Sequence, residues 1–110
     1  MSSKADDNTT IEELLTLVEQ FRDARNWGRF HTPPALASAI AIEAAELLEL
    51  FQWGESWKPA PDENAIADEL ADVLIYALSM AGTCGIDVYG AVRQKMAKNA
   101  VRYPVMLDGE

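Results

Sequence analysis

The sequence predicts an all-α fold. Its apolar residues recur at helical spacing, start and stop signals divide it into four segments, and no stretch alternates as a strand does. At 110 residues the chain has room for one domain. We expect a flexible N-terminal segment over residues 1–10, a helical domain over 11–105 and a flexible tail over 106–110. So small a core gains from self-association, so an oligomer is expected.

The first two helices are marked by their N-terminal residues. One covers about residues 11–25 and follows Thr10, with Glu13 three residues later, which is a capping-box pattern. The next covers about residues 34–53 and follows Thr32. The prolines at positions 33 and 34 are compatible with this start, because proline is tolerated in the first helical turn. Both signals predict where a helix begins.

The last two helices are separated by glycines. The third covers about residues 62–81 and is expected to end in the break between Gly82 and Gly85. Its Ile75 and Leu78 lie off the main apolar stripe, which predicts either a central helix or a subunit interface. The fourth covers about residues 88–101.

Two pairs of carboxylates stand on the second and third helices, Glu43 with Glu46 and Glu69 with Asp72. The i, i+3 spacing places the members of each pair on one side of a helix, about one turn apart. Glu43 also falls inside its helix's apolar stripe, where a carboxylate must be protonated, ion-paired or bound to a metal. If the pairs converge, they make a site for Mg²⁺, with Mn²⁺ as a possible substitute.

Other interpretations of these acids stay open. Either pair alone is compatible with a glutamate at the edge of the core or with a salt bridge, although two matching pairs weaken that interpretation. Glu49 adds an acid three residues after Glu46 that is either solvated or close to the site. A di-iron bundle would need Glu-x-x-His on two helices, whereas the single histidine, His31, is in neither pair.

The charge balance limits the possible partners. The formal charge is −9, from 18 acidic and 9 basic residues, which argues against binding a nucleic-acid polymer. A nucleotide remains possible, because Mg²⁺ bridges carboxylates to phosphates. No apolar run approaches the roughly 20 residues of a membrane span, and the N-terminus lacks a signal-peptide core. A single cysteine, Cys84, predicts a reducing, cytoplasmic setting.

Aromatic and basic residues suggest a planar, anionic ligand. Trp27, Phe30 and His31 cluster before the second helix, and Trp53 and Tyr76 follow the two carboxylate pairs. Such groups stack on nucleobases, although ordinary packing would explain any one of them. Four basic residues lie on the fourth helix, and the helix dipole alone favours some of them there. No P-loop, zinc spacing or nucleophile elbow is present.

Two strings carry a family resemblance. From Ile42 to Trp53 and from Asp68 to Tyr76 the sequence resembles the all-α nucleoside triphosphate pyrophosphatases of the MazG type, and among them the small dCTP pyrophosphatase branch. The flanking segments 25–33 and 95–104 resemble that branch too, and the likeness extends from about residue 11 to 105. It implies a four-helix-bundle-like fold that assembles as a dimer or a dimer of dimers.

The resemblance implies an activity and a set of site residues. The activity is Mg²⁺-dependent hydrolysis of a nucleoside triphosphate, most plausibly dCTP or a 5-modified dCTP, between the α and β phosphates in nucleotide-pool housecleaning. Its products are a nucleoside monophosphate and pyrophosphate. The implied metal ligands and catalytic residues are Glu43, Glu46, Glu69 and Asp72. The implied nucleotide contacts are Trp27, Gly28, Arg29, Phe30, His31, Trp53, Tyr76, Lys95 and Asn99.

Two questions remain open at this point. The likeness departs at Val18, where vertebrate dCTP pyrophosphatases have a histidine, so the base preference does not follow from it. Glu46 and Glu49 are both candidates for the general base. The alternatives to the leading hypothesis are a MazG-like enzyme of broader specificity and a non-catalytic acidic helical interaction module.

Overall fold

The computed structural model describes residues 8–51 and 62–106. Within these ranges the chain contains helices and no strand, which confirms the predicted all-α class. A short 3₁₀ helix (Gly28–Phe30) lies between the first two α-helices. The α-helices are α1 (Ile11–Ala24), α2 (Pro33–Glu49), α3 (Glu63–Cys84) and α4 (Val88–Arg102).

Side-chain caps fix the starts of α1 and α2. Thr10 Oγ1 accepts a hydrogen bond from the Glu13 N–H at 3.0 Å, and the Glu13 carboxylate accepts one in return from the Thr10 N–H. Thr32 accepts from the Ala35 N–H at 3.4 Å, with proline in the first turn of α2. Both predicted starts are confirmed within one residue. In the described residues α2 ends at Glu49, and Trp53, its predicted end, lies outside them.

Helix α3 ends inside the predicted break between Gly82 and Gly85, three residues beyond the approximate bound of residue 81. The helix continues through Gly82 to Cys84, and Gly85 takes the left-handed conformation, with φ of 67°, that ends it. Gly82 remains helical and faces α1. A Cβ added there would come within 2.7 Å of Glu19 Oε2 and 3.3 Å of Leu15 Cδ1. The missing side chain therefore allows close approach of α1 rather than a break in the helix.

Helix α3 is the centre of the fold. It packs mainly against α2 and less extensively against α1, while α4 contacts its neighbours only marginally. Among the described residues the buried apolar side chains are few: Leu36, Leu78 and Ala81. Many large apolar side chains remain exposed, including Val92 and Met96 of α4. The three-helix arrangement therefore buries only part of the apolar surface that the sequence provides.

The shape of the chain agrees with this incomplete burial. Its radius of gyration is 17.3 Å, against about 13 Å for a compact domain of this length. In the described residues no single helix is long and apolar enough to cross a membrane. Only α3 and α4 taken together, across a bend of 102°, reach that length and composition.

Candidate metal centre and adjoining cavity

Three carboxylates from two helices converge where α2 packs against α3. Each of Glu43, Glu69 and Asp72 offers an oxygen atom, and these three atoms lie within 4.8 Å of one another. All three residues are half-buried. Two oxygen ligands of one Mg²⁺, each about 2.1 Å from the ion, lie at most about 4.2 Å apart. Only a small contraction separates this acid cluster, as we call these three residues, from that geometry.

The electrostatics of the acid cluster are unfavourable without a cation. Partial burial, followed by hydrogen bonding and repulsion from Glu46 and Asp72, raises the pKa of Glu43 from 4.5 to about 7. Burial and the negative charges of Glu46, Asp72 and Asp68 raise the pKa of Glu69 as well. Within the described residues no lysine or arginine forms an ion pair with any of these acids. A proton or a divalent cation is needed to balance the charge.

The hydrogen bonding of Glu69 tests whether a metal fits. Its Oε2 atom is buried and has no hydrogen-bond partner among the described residues. A buried carboxylate oxygen without a partner costs free energy, and coordination to a cation removes that cost. The donor set is all oxygen, which is the set that Mg²⁺ and Mn²⁺ prefer. The residues present therefore fit a hard divalent ion.

The fourth predicted ligand, Glu46, lies beside the acid cluster but is more exposed than its three members. Its side chain is exposed, and it does not belong to the group of residues whose carboxylate oxygens all lie within 4.8 Å of one another. Its charge nevertheless contributes to the raised pKa values of both Glu43 and Glu69, so it lies beside the acid cluster. Glu49 is exposed and has no such effect on either group.

A cavity of about 540 Å³ adjoins the acid cluster at Asp72 and lies between α1 and α3. We call it the α1–α3 cavity. Its lining is mainly apolar and aromatic, which suits a planar ring, and Asp72 connects it to the acid cluster. The lining residues are Leu14, Leu17, Val18, Phe21, Arg22, Trp27, His31, Ala71, Asp72, Leu74, Ile75, Tyr76, Leu78 and Ser79.

The turn after α1 positions the aromatic wall of the α1–α3 cavity. Asn26, with a positive φ of 56°, reverses the chain, and the Trp27 N–H donates to the Arg22 carbonyl at 3.1 Å. The Trp27 ring then meets the Phe21 ring edge-on at 5.8 Å between centroids. The His31 and Tyr76 rings lie 6.3 Å apart, and His31 Nδ1 is buried without a hydrogen-bond partner in the described residues.

The other predicted nucleotide contacts lie elsewhere. Gly28, Arg29 and Phe30 form the 3₁₀ helix and do not line the α1–α3 cavity. Lys95 and Asn99 are exposed on α4 and do not line the α1–α3 cavity. Trp53 lies outside the described residues. All of these contacts stay predictions.

Sequence reasoning missed Arg22, which lines the α1–α3 cavity with a side chain only 18% exposed. A signal was present in the helical period of α1. Arg22 falls four residues after Val18 and eight after Leu14, so it lies on the apolar stripe and not on the solvent face. A basic residue on the apolar stripe of α1 indicates a candidate site residue in the same way that Glu43 does on the apolar stripe of α2.

The all-helical fold brings three carboxylates from two helices together beside an aromatic cavity, which defines a helical protein with a candidate metal site and room for a planar ligand. Residues 38–109 match the MazG-like family, and the chain belongs to that family.

Curated relatives and a solved structure agree with this assignment. The chain is 40% identical over 105 residues to dCTP pyrophosphatase 1 of Mus musculus and 39% identical over 104 residues to that of Homo sapiens. These matches cover 90% and 89% of this chain but only 62% and 61% of the relatives. A pyrophosphatase from Archaeoglobus fulgidus superposes with a TM-score of 0.78 and 42% identity, covering 86% of this chain and 92% of that one.

Proposed function

We propose that this chain is a Mg²⁺-dependent nucleoside triphosphate pyrophosphohydrolase. It cleaves between the α and β phosphates and releases a nucleoside monophosphate and pyrophosphate. One observation carries the proposal: the carboxylates of Glu43, Glu69 and Asp72 converge, and Asp72 also lines the adjoining apolar and aromatic cavity. The ion and the triphosphate would meet at the acid cluster, with the base in the cavity. The pyrophosphatase names of the relatives support the same reaction.

The substrate that we propose is dCTP or a 5-modified dCTP. The relatives from mouse and human are named dCTP pyrophosphatase 1. A cavity of about 540 Å³ with a mainly apolar lining has space for a pyrimidine ring and a 5-substituent. We propose that the enzyme acts in the cytoplasm and removes unwanted triphosphates from the nucleotide pool.

The chain's own residues divide the chemical work. We assign Glu43, Glu69 and Asp72, with Glu46 beside them, to holding the ion. A bound Mg²⁺ supplies phosphate polarisation and lowers the pKa of a water molecule. Glu46 is better placed than Glu49 to accept a proton from that water, because it is exposed and still close enough to act on Glu43 and Glu69. Trp27, His31 and Tyr76 hold the base in the cavity.

We propose that the working form is a homodimer or homotetramer. The accessible surface is 9032 Å², against about 6,000 Å² for a compact monomer of this mass. The excess of roughly 3,000 Å² is what extensive subunit contacts would cover. Helix α4, which contacts the rest of the chain only marginally, presents Tyr89, Val92 and Met96 to solvent. We assign Lys95 and Asn99 on the same helix to substrate contacts that form in the assembly.

Hydrolysis of a panel of triphosphates tests the proposal. The panel contains the canonical ribo- and deoxynucleotides and 5-methyl-dCTP, each with and without Mg²⁺, and chromatography identifies the products. The expected result is metal-dependent formation of monophosphate and pyrophosphate, fastest for cytosine deoxynucleotides. Equal activity on other bases would favour a broader MazG-like enzyme. No hydrolysis by folded protein would favour the non-catalytic helical module.

A further inference from the structure

A single guanidinium group lies in the mainly apolar and aromatic wall of the α1–α3 cavity. Arg22 is the one lysine or arginine among the described residues that line it, and its side chain is 18% exposed. Burying a guanidinium costs free energy, and one exposed ion pair recovers little of that cost. Arg22 therefore has more hydrogen-bonding capacity than its surroundings in the chain use.

The local structure holds Arg22 in a defined orientation. Its Nε donates to Asp23 Oδ1 at 2.9 Å, and this is the only hydrogen bond of its side chain within the described residues. Its main-chain carbonyl accepts from the N–H groups of Arg25 and Trp27. The turn at Gly28 packs closely, since a Cβ there would lie 3.5 Å from Arg22 Nε. With Nε engaged, the two terminal nitrogens remain as a pair of parallel donors.

A pair of parallel donors recognises two adjacent acceptors. Cytosine presents N3 and O2 side by side, with the 4-amino donor next to them, whereas uracil and thymine carry an N3–H donor between two carbonyls. His31 Nδ1, which lines the same cavity without a partner, can accept from a 4-amino group when the imidazole is neutral. The donor and acceptor pattern of Arg22 and His31 matches cytosine better than uracil or thymine.

We propose that Arg22 is a specificity-determining residue, which hydrogen-bonds N3 and O2 of cytosine and discriminates against uracil and thymine. This inference rests on the proposed function and deepens it by naming the group that selects the base. Asp23 acts as a positioning residue, because its carboxylate accepts from Nε and leaves the two terminal nitrogens without a hydrogen bond among the described residues.

The test compares kcat/KM for dCTP, dUTP and 3-deaza-dCTP, which lacks the N3 acceptor. In wild type we expect dCTP to exceed each of the others by at least about tenfold, as expected for the loss of a bidentate contact. In Arg22→Met the kcat/KM ratios of dCTP to dUTP and of dCTP to 3-deaza-dCTP should both fall towards one, because the substitution lowers kcat/KM for dCTP only. Arg22→Lys should not restore the ratios, because an ammonium is a point charge.

Arg93→Met is the matched control. It removes one positive charge from α4, and Arg93 does not line the α1–α3 cavity. It should leave both ratios within twofold of wild type. Melting curves of all variants check that they fold. If Arg22→Met does not fold, equal rates of wild type on dCTP and 3-deaza-dCTP would still overturn the proposal, and Arg22→Lys provides the second variant.

The failures of the two proposals are distinguishable. If wild type hydrolyses dCTP, three results would overturn the role of Arg22 and leave the reaction intact. These are unchanged kcat/KM ratios in Arg22→Met, full restoration of the ratios by Arg22→Lys, and equal wild-type rates on dCTP and 3-deaza-dCTP. No hydrolysis of any triphosphate by wild type would overturn the proposed function, and the role of Arg22 with it.

Discussion

The carboxyl groups of Glu43 on α2 and Asp72 on α3 have oxygen atoms within 4.8 Å of each other, and Asp72 contributes to raising the pKa of Glu43 to about 7. Two acids that far apart in sequence meet because α2 packs against α3. Unfavourable interactions of this kind persist when a site is kept for a ligand.

The stability of the metal-free protein should depend on the ionisation of Glu43. Its pKa is about 7 in the folded protein against an ordinary value of 4.5, so the folded state holds the proton more tightly than the unfolded state. The contribution of Glu43 to the free energy of unfolding is therefore lost as the pH rises from about 4.5 towards 7. We expect the melting temperature of wild type to fall relative to that of Glu43→Gln over that interval, in buffer containing a chelator. If the melting temperatures of the two proteins changed in parallel with pH, the raised pKa of Glu43 would be contradicted.

Mg²⁺ should stabilise the protein more at high pH than at low pH. The ion competes with the proton for the acid cluster, so binding tightens as Glu43 and Glu69 ionise. The increase in melting temperature on addition of the same excess of Mg²⁺ should be larger at pH 8 than at pH 5.5. A pH-independent increase would point to weak, non-specific binding.

Glu69→Gln should separate metal binding from folding. The substitution removes one of several clustered negative charges, so the metal-free protein should melt at a higher temperature than wild type. The same variant should lose most of the Mg²⁺-induced increase, since Glu69 Oε2 is the buried atom that the ion would satisfy. Glu12→Gln, an exposed acid in the first turn of α1, is the control and should keep the increase. Retention of the full Mg²⁺ effect in Glu69→Gln would remove this residue from the metal site.

The two glycines near the end of α3 should respond differently to alanine. Gly85→Ala places a Cβ at φ of 67° and should destabilise the fold by roughly 1–2 kcal/mol. Gly82→Ala gains helix propensity and displaces only the flexible end of Glu19 and a methyl of Leu15, so it should stay within about 1 kcal/mol of wild type. Thermal melts at equal protein concentration compare them. A larger loss for Gly82→Ala than for Gly85→Ala would contradict the described end of α3.

Charge placed on the exposed apolar side of α4 should weaken assembly. Met96 is 62% exposed and Val92 51%, and both lie on the side of α4 that also carries Tyr89. We expect light scattering to give a dimer or tetramer for wild type and a smaller species for Met96→Glu. Gln94→Glu changes the charge on the opposite side of the helix and should keep the wild-type mass. A monomeric wild type would refute the proposed assembly.

Much of this architecture could be predicted from the sequence because local signals fix it. The caps at Thr10 and Thr32 depend on neighbouring residues alone, and the helical period correctly placed Glu43 on the inner side of α2. Local signals do not tell which of the two glycines ends α3, because Gly82 and Gly85 are equally compatible with a helix end. The packing of α1 against Gly82 distinguishes them.

The remaining features depend on tertiary and quaternary contacts. The apolar stripe of α4 is the same whether it faces its own core or another subunit, so its exposure was not predictable. The exposure of Glu46 depends on how far α2 is rotated against α3, which an i, i+3 spacing does not specify. Arg22 was missed because a basic residue in the last turn of a helix ordinarily complements the helix dipole.

The most direct test of the central claim is the stoichiometry of products released from dCTP by wild type and by Glu43→Gln, with Mg²⁺ and with a chelator. We expect equimolar dCMP and pyrophosphate from wild type in Mg²⁺, and neither product with the chelator or from a folded Glu43→Gln variant. Release of dCDP and phosphate, or undiminished pyrophosphate release by Glu43→Gln, would contradict the claim that this acid cluster is the catalytic centre of a pyrophosphohydrolase.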